Sequence, residues 1–171
     1  MRQAAVVARI GVLTAALLTS APVRPASAQG FSGSMAVQAT TLAPLEVTGM
    51  RDLDFGTLTG GVPKTVTASD NTSGRFRVRG VAGAVTLATF TLPNELSNGA
   101  QTFPLGSWTG RQHTSAGNGG TAFDPTALGL AVPLNGGGGQ KFLFLGATAS
   151  APAGQQPGLY TATITLSVIY Q

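Results

Sequence analysis

No cysteine occurs anywhere in this chain, and histidine and tryptophan occur once each. A disulfide framework, a thiolate nucleophile and every cysteine zinc site are thereby excluded. Charge is also sparse: ten basic and six acidic side chains make up 9% of the 171 residues, against about a quarter in ordinary soluble domains. Long apolar runs are missing as well. The apolar stretch at residues 10–18 is about half of what a bilayer span needs.

That stretch has another reading. Arg2 and Arg9 lie at its N-terminal side, and a Pro-containing segment after it ends in Ala26-Ser27-Ala28. Charge, a short apolar core and small residues at the end predict a secretory signal peptide over residues 1–28, cleaved before Gln29. A retained membrane anchor is the competing reading, and the length argues against it. Removing the leader takes away Arg2, Arg9 and Arg24 and leaves seven basic against six acidic side chains. The high isoelectric point belongs mostly to the leader, so the basic footprint of a nucleic-acid binder is absent. The 143 residues that remain suit one domain. No membrane span is expected after cleavage.

What is present favours strands. Glycine, proline and threonine are frequent, and past the leader no window shows a 3.6-residue apolar period. Phe31, Gly33, Met35, Val37 and Ala39 alternate with polar or small residues, predicting an N-terminal strand. After Pro44, Leu45 and Val47 begin another, and Leu53 and Phe55 follow. Thr65-Val66-Thr67 reads as a short edge strand. Phe76 and Val78 alternate with Arg75, Arg77 and Arg79, and residues 84–92 run to Pro93. Residues 94–120 read as loop with one short strand near 101–105, and the small residues 115–120 as a mobile segment. Leu128, Leu130 and Val132 predict a strand ending at Pro133; Gly136 to Gly139 make a turn. Residues 141–145 predict a strand covered on both faces. The clearest pattern is the last: Tyr160, Ala162, Ile164, Leu166, Val168 and Tyr170 on one face, threonine and serine on the other, with Ile169 the exception. Eight to nine short antiparallel strands predict an all-β, immunoglobulin-like β-sandwich, with an up-and-down barrel second.

Catalytic constellations are scarce. His113 sits among serines and glycines with no G-x-S-x-G elbow nearby, which reads as a solvated loop histidine rather than a triad member. Gly139-Gln140-Lys141 has no following Ser or Thr and is not a phosphate loop. Asp52-Leu53-Asp54-Phe55-Gly56 lacks the bidentate acid of a calcium loop; the plainer expectation sends Leu53 and Phe55 into the core while the aspartates bond to turn backbone. The arginine stripe reads as a wet strand face, with an anionic glycan or partner as its alternative. Trp108 near Arg111 suggests a sugar-stacking platform. No enzyme, metal or cofactor is expected.

The ends carry more. The final strand stops at its last inward residue, which leaves its outer edge without a neighbour and predicts an open groove of unpaired backbone and apolar pockets. The arm, residues 29–41, has the period to fill such a groove in another copy. Burying Phe31, Met35 and Val37 there yields about 1.5–3 kcal/mol each before ordering costs. Folding back in cis onto the domain at 42–171 is equally compatible with the sequence.

Leu53-Asp54-Phe55-Gly56 after Pro44-Leu45-x-Val47-Thr48 resembles the start of an exported bacterial family, domain of unknown function 4402. The likeness continues through Phe76-x-Val78-x-Gly80, Thr91-Leu92-Pro93, Leu96-Ser97-Asn98-Gly99, Leu145-Gly146-Ala147 and Gly158-x-Tyr160-Thr161. It ends with Ile164-x-Leu166-x-Val168-x-Tyr170. This resemblance implies export and a β-sandwich. A looser one is to chaperone–usher pilus subunits, which end in a Gly-x-Tyr-initiated alternating strand with a penultimate Tyr, here Gly158, Tyr160 and Tyr170. Their donor strand carries a small residue among its apolar positions, for which Gly33 is the match; the missing disulfide is a departure.

The expectation is an exported, fimbrial-subunit-like structural protein in the periplasm or at the cell surface. Phe31, Gly33, Met35, Val37 and Ala39 would be the donated residues, with Tyr160, Ile164, Leu166, Val168 and Tyr170 forming a wall of the receiving groove. A homo-polymer, and a periplasmic chaperone and usher, are the partners the pilus resemblance implies. A monomeric adhesin or glycan-binding module is the first alternative, a secreted hydrolase using His113 the second.

Overall fold

Alternation drives strand formation wherever one face can be buried, and ten strands result among the described residues. The computed structural model describes Ala36, Gln38, Ala39 and residues 41–171, and the unit considered below is Thr40–Gln171. In chain order the strands are β1 (Glu46–Arg51), β2 (Lys64–Val66), β3 (Gly74–Arg79), β4 (Val85–Thr91), β5 (Glu95–Ser97), β6 (Thr102–His113), β7 (Thr121–Phe123), β8 (Leu130–Pro133), β9 (Gln140–Ala149) and β10 (Thr165–Tyr170). All pairings are antiparallel, and no helix occurs among the described residues. A seven-stranded sheet runs β1-β3-β9-β6-β5, with β2 also on β9 and β7 also on β6; a three-stranded sheet runs β10-β4-β8. The fold is the expected all-β sandwich, with one or two strands more than the alternation predicts.

The core follows from register. Val78, Leu143 and Leu145 of the large sheet face Ala88, Phe90 and Val132 of the small one, with Leu134 beside them. A second cluster gathers Phe55, Val66, Phe103, Leu105, Ala147, Ala149 and Ala151. Residues 53–57 form no strand. Asp54 Oδ1 accepts from Gly56 N at 2.7 Å, turning the chain so that Phe55 is buried and Leu53 half-buried, as the plainer reading of that motif expects.

The largest departure from expectation is β6. The twelve residues Thr102–His113 form the longest of the ten strands, where the sequence suggests only a short strand near 101–105 within a loop. A bulge between Gly106 and Thr109, with Ser107 at φ 51°, shifts the register against β9. Before it Phe103 and Leu105 point inward; after it the inward positions are Trp108 and Gly110. One extra residue thus reverses the parity of the alternation, and no single period describes the strand. Gly110 is required there, because a Cβ would drive into the Phe123 ring, which stacks on Phe90 at 5.9 Å.

Two smaller corrections concern strand limits. Leu128 lies outside β8 and is highly exposed. The final alternating segment is a ladder only over Thr165–Tyr170; residues 160–164 lead into it, held by one bridge from Thr161 to Ser97. By contrast β9 is covered on both faces as expected, with Phe142 and Phe144 buried on the side away from the small sheet.

Candidate functional site

Each sheet ends in two outer strands among the described residues, β1 and β5 in the large one and β10 and β8 in the small one, and β1 and β10 concern the site. β10 pairs with β4 on one side, and among the described residues no ladder forms on its other side. β1 pairs with β3 and is likewise free on its far edge. The consequence shows in burial. Val47 shares the inner face with its partner Val78, yet Val47 is 39% exposed while Val78 is at 0%. Leu166, Val168 and Tyr170 point inward from β10 against Phe90, Ala88 and Thr86, and all three stay only half-buried. Leu45, Phe76 and Ile164 pack with them at the rim of the same cluster.

Between the chain leaving β1 and the chain entering β10 lies a groove of about 1030 Å³. Residues 49–60 form one wall and 155–164 the other, and Phe76, Phe103, Leu105 and Trp108 are among the apolar residues beneath. Tyr160 belongs to this end. Its ring tilts against Phe103 at 4.8 Å, and its hydroxyl accepts from Gln155 Nε2 at 2.7 Å and donates to Gln156 O at 2.9 Å.

Tyr170 lies at the far end of β10. Its hydroxyl accepts from Val81 N at 2.9 Å and donates to Ala43 O at 2.8 Å, tying the last strand to the segment that precedes β1. Removing that oxygen leaves a partly buried N–H without a partner, at a cost of about 1–3 kcal/mol. Tyr170→Phe should therefore lower the urea midpoint with the m-value unchanged.

Ile164, Leu166, Val168 and Tyr170 are thus brought together on one face, and Tyr160 joins the groove through the neighbouring cluster. Ala39 is exposed and in no strand; Phe31, Gly33, Met35 and Val37 lie outside the described residues. Leu45, Leu53, Phe76 and Trp108 are groove or rim residues that the sequence reading did not single out for the site. For Phe76 the signal was available, since it alternates with arginines. For Trp108 the bulge concealed it. The same bulge dissolves the sugar platform: Trp108 packs inward, whereas Arg111 lies across from Phe144 on the opposite face.

No carboxylate bonds to His113 among the described residues. Its Nδ1 meets the backbone and hydroxyl of Ser115, two residues on. Among the described residues, no group of three or more metal-ligating side chains is found, and no helix is long and apolar enough to cross a membrane. Lys141 is buried on the inner face beside Val78, where Nζ donates to Asn135 Oδ1 at 3.0 Å and burial lowers its pKa from the ordinary lysine value.

No protein-family model and no curated protein matches the chain, so the resemblance to domain of unknown function 4402 gains no support from that side. Among solved structures, a chain from a chaperone–usher pilus, in work on the molecular basis of rod uncoiling, is similar. The TM-score is 0.41 at 16% identity, over 88% of this chain and 100% of that one.

Proposed function

We propose that this protein is an exported structural subunit that assembles by β-strand donation, with residues 29–41 of one copy entering the groove of the next. The observation that carries this reading is the pair of unpaired edges, β1 and β10, flanking inward apolar side chains that stay half-exposed. Unpaired backbone beside apolar pockets is the template that an added strand completes. The arm has matching chemistry: Phe31, Gly33, Met35, Val37 and Ala39 recur at every second position. Nine extended residues reach about 30 Å, and the stretch from Ile164 to Tyr170 needs about 23 Å. No bond is made or broken in this mechanism. Export by the leader at residues 1–28, placement in the periplasm or at the surface, and a chaperone and usher as assembly partners belong to the same reading.

The test compares the exported chain with a form lacking residues 29–40. The longer chain should form assemblies that survive mild denaturant. The shorter one should be monomeric and less stable, and a peptide of residues 29–40 at about a hundred times its Kd should restore about 2.7 kcal/mol. Monomers of equal stability in both forms would overturn the proposal. A longer chain that is monomeric but more stable than the shorter one would assign the arm to its own domain and overturn donation between copies.

A further inference from the structure

The outer face of the large sheet concentrates the positive charge of the domain. The ladder places Arg51 beside Arg75, Arg75 beside Phe144 and Phe144 beside Arg111, in one row across four strands. The next row runs Thr48, Arg77, Phe142, His113, and a third runs Glu46, Arg79, Gln140. Five of the seven basic side chains outside the leader therefore share one face, with Glu46 as the single carboxylate in those rows. Like charges directly across a ladder repel. The pKa of Arg51 is lowered by burial and by the nearby charge of Arg75.

The partners of these guanidinium groups are mostly neutral. Arg75 Nη1 donates to Ala116 O at 2.9 Å, Arg51 Nη2 to Asn118 Oδ1 at 3.3 Å and Arg111 Nη1 to Gly120 O at 3.2 Å. Residues 115–120, expected from their small side chains to be mobile, thus accept hydrogen bonds from three arginines. Among the described residues, Arg77 is the one arginine of the face in an ion pair, with Glu46 at 3.1 Å, and Arg79 is exposed. Glu46, and Asp70 whose carbonyl accepts from Arg51 Nη2 at 3.5 Å, offset the positive field of the face only in part.

We infer that this face binds an acidic polysaccharide, with Arg77 and Arg79 as the leading anion contacts. Guanidinium forks match carboxylate and sulfate groups, and successive outward positions along β3 recur at about 6.6 Å. Beside the arginines lie Thr48 and Gln140, which offer donors and acceptors to sugar hydroxyls. The two phenylalanines of the face are buried, so nucleic-acid bases find no stacking surface there. A lipid surface finds no exposed apolar side chain to anchor in these rows, and a peptide finds no aromatic anchor. This inference stands independently of strand donation.

The purified chain would be titrated with polygalacturonate, dextran sulfate and neutral dextran, and with poly-glutamate and duplex DNA at matched charge, across a salt series. Saturable binding to the acidic polysaccharides, weakened by salt, absent for neutral dextran and tighter than for poly-glutamate or DNA, is expected. Arg79→Ser should weaken it about tenfold, and Arg77→Ser with Arg79→Ser more, while Lys64→Ser, on the inner side with Ala149, leaves it unchanged. Circular dichroism and a cooperative urea transition confirm that the variants remain folded. No binding, equal binding of poly-glutamate or DNA, or indifference to the arginine variants would overturn the inference.

Discussion

Phe144→Ala should destabilise the domain by about 3–5 kcal/mol, read as a fall in the urea midpoint. The size of the effect is unexpected for the outer face of a sandwich, which is usually wet. Phe144 is at 0% exposure because that face is roofed locally. Arg75 and Arg111 lie on either side of it, and Ala68 packs on it from the chain after β2. That chain crosses β9 at Gly146, where a Cβ would strike the backbone of Val66, Thr67 and Ala68. The crossing thus needs a glycine, and the crossing supplies the lid. Long arginine stems cover apolar surface while their charged ends reach solvent. Truncating the ring would leave a cavity under side chains that are fixed by hydrogen bonds to residues 114–120 and cannot all collapse into it. Phe144→Leu keeps most of the volume and should cost less than half as much. Equal, small effects for the two substitutions would mean the roof is looser than its burial implies.

The same residues show what was legible in advance. The run at 141–145 has no polar interruption after Lys141, and double-sided burial is the direct reading of such a run; β9 bears it out. Lys141 itself is buried inward with a single neutral partner, which composition gives no reason to expect. The arginine stripe was readable as an outward face because Phe76 and Val78 alternate with it. That Arg51 and Arg111 extend the stripe across two more strands was not readable, since only register brings them into line. The first part of β6 was expected near 101–105, and its continuation to His113 was concealed for a physical reason: the bulge at Ser107 breaks a period-2 pattern into two half-patterns of opposite phase. The groove was half legible. Inward residues of β10 could be read off the alternation, but the residues that line the trough beside Ile164, Leu53, Phe76 and Trp108, come from strands and turns far away in sequence. The ladder ends at Thr165 because residues 160–164 have one bridge and no continuous neighbour, so alternation alone overstated the strand.

Ile164→Asp separates the groove as a fold element from the groove as a receptor. Ile164 lies just before β10, is half-buried and lines the trough. With the groove open, an aspartate there keeps one side in water, and the fold loses only the part of the isoleucine that is covered, on the order of 1 kcal/mol. With a strand inserted, the carboxylate loses that water and gains no counter-charge from the arm, whose residues 29–41 contain no basic side chain. Burying an unpaired charge costs several kcal/mol even after relaxation. The affinity of a chain lacking residues 29–40 for the 29–40 peptide should therefore fall by at least about thirtyfold, and assembly of the intact chain should fail. Ile164→Val removes one methylene, worth about 0.8 kcal/mol, and should weaken the peptide only about fourfold. The expected signature is a large gap between the two variants in binding beside a small gap in unfolding midpoint. A drop in midpoint that matches the loss of affinity would mean that Ile164 supports the sandwich itself, and the trough would lose its standing as the place where a second chain is received.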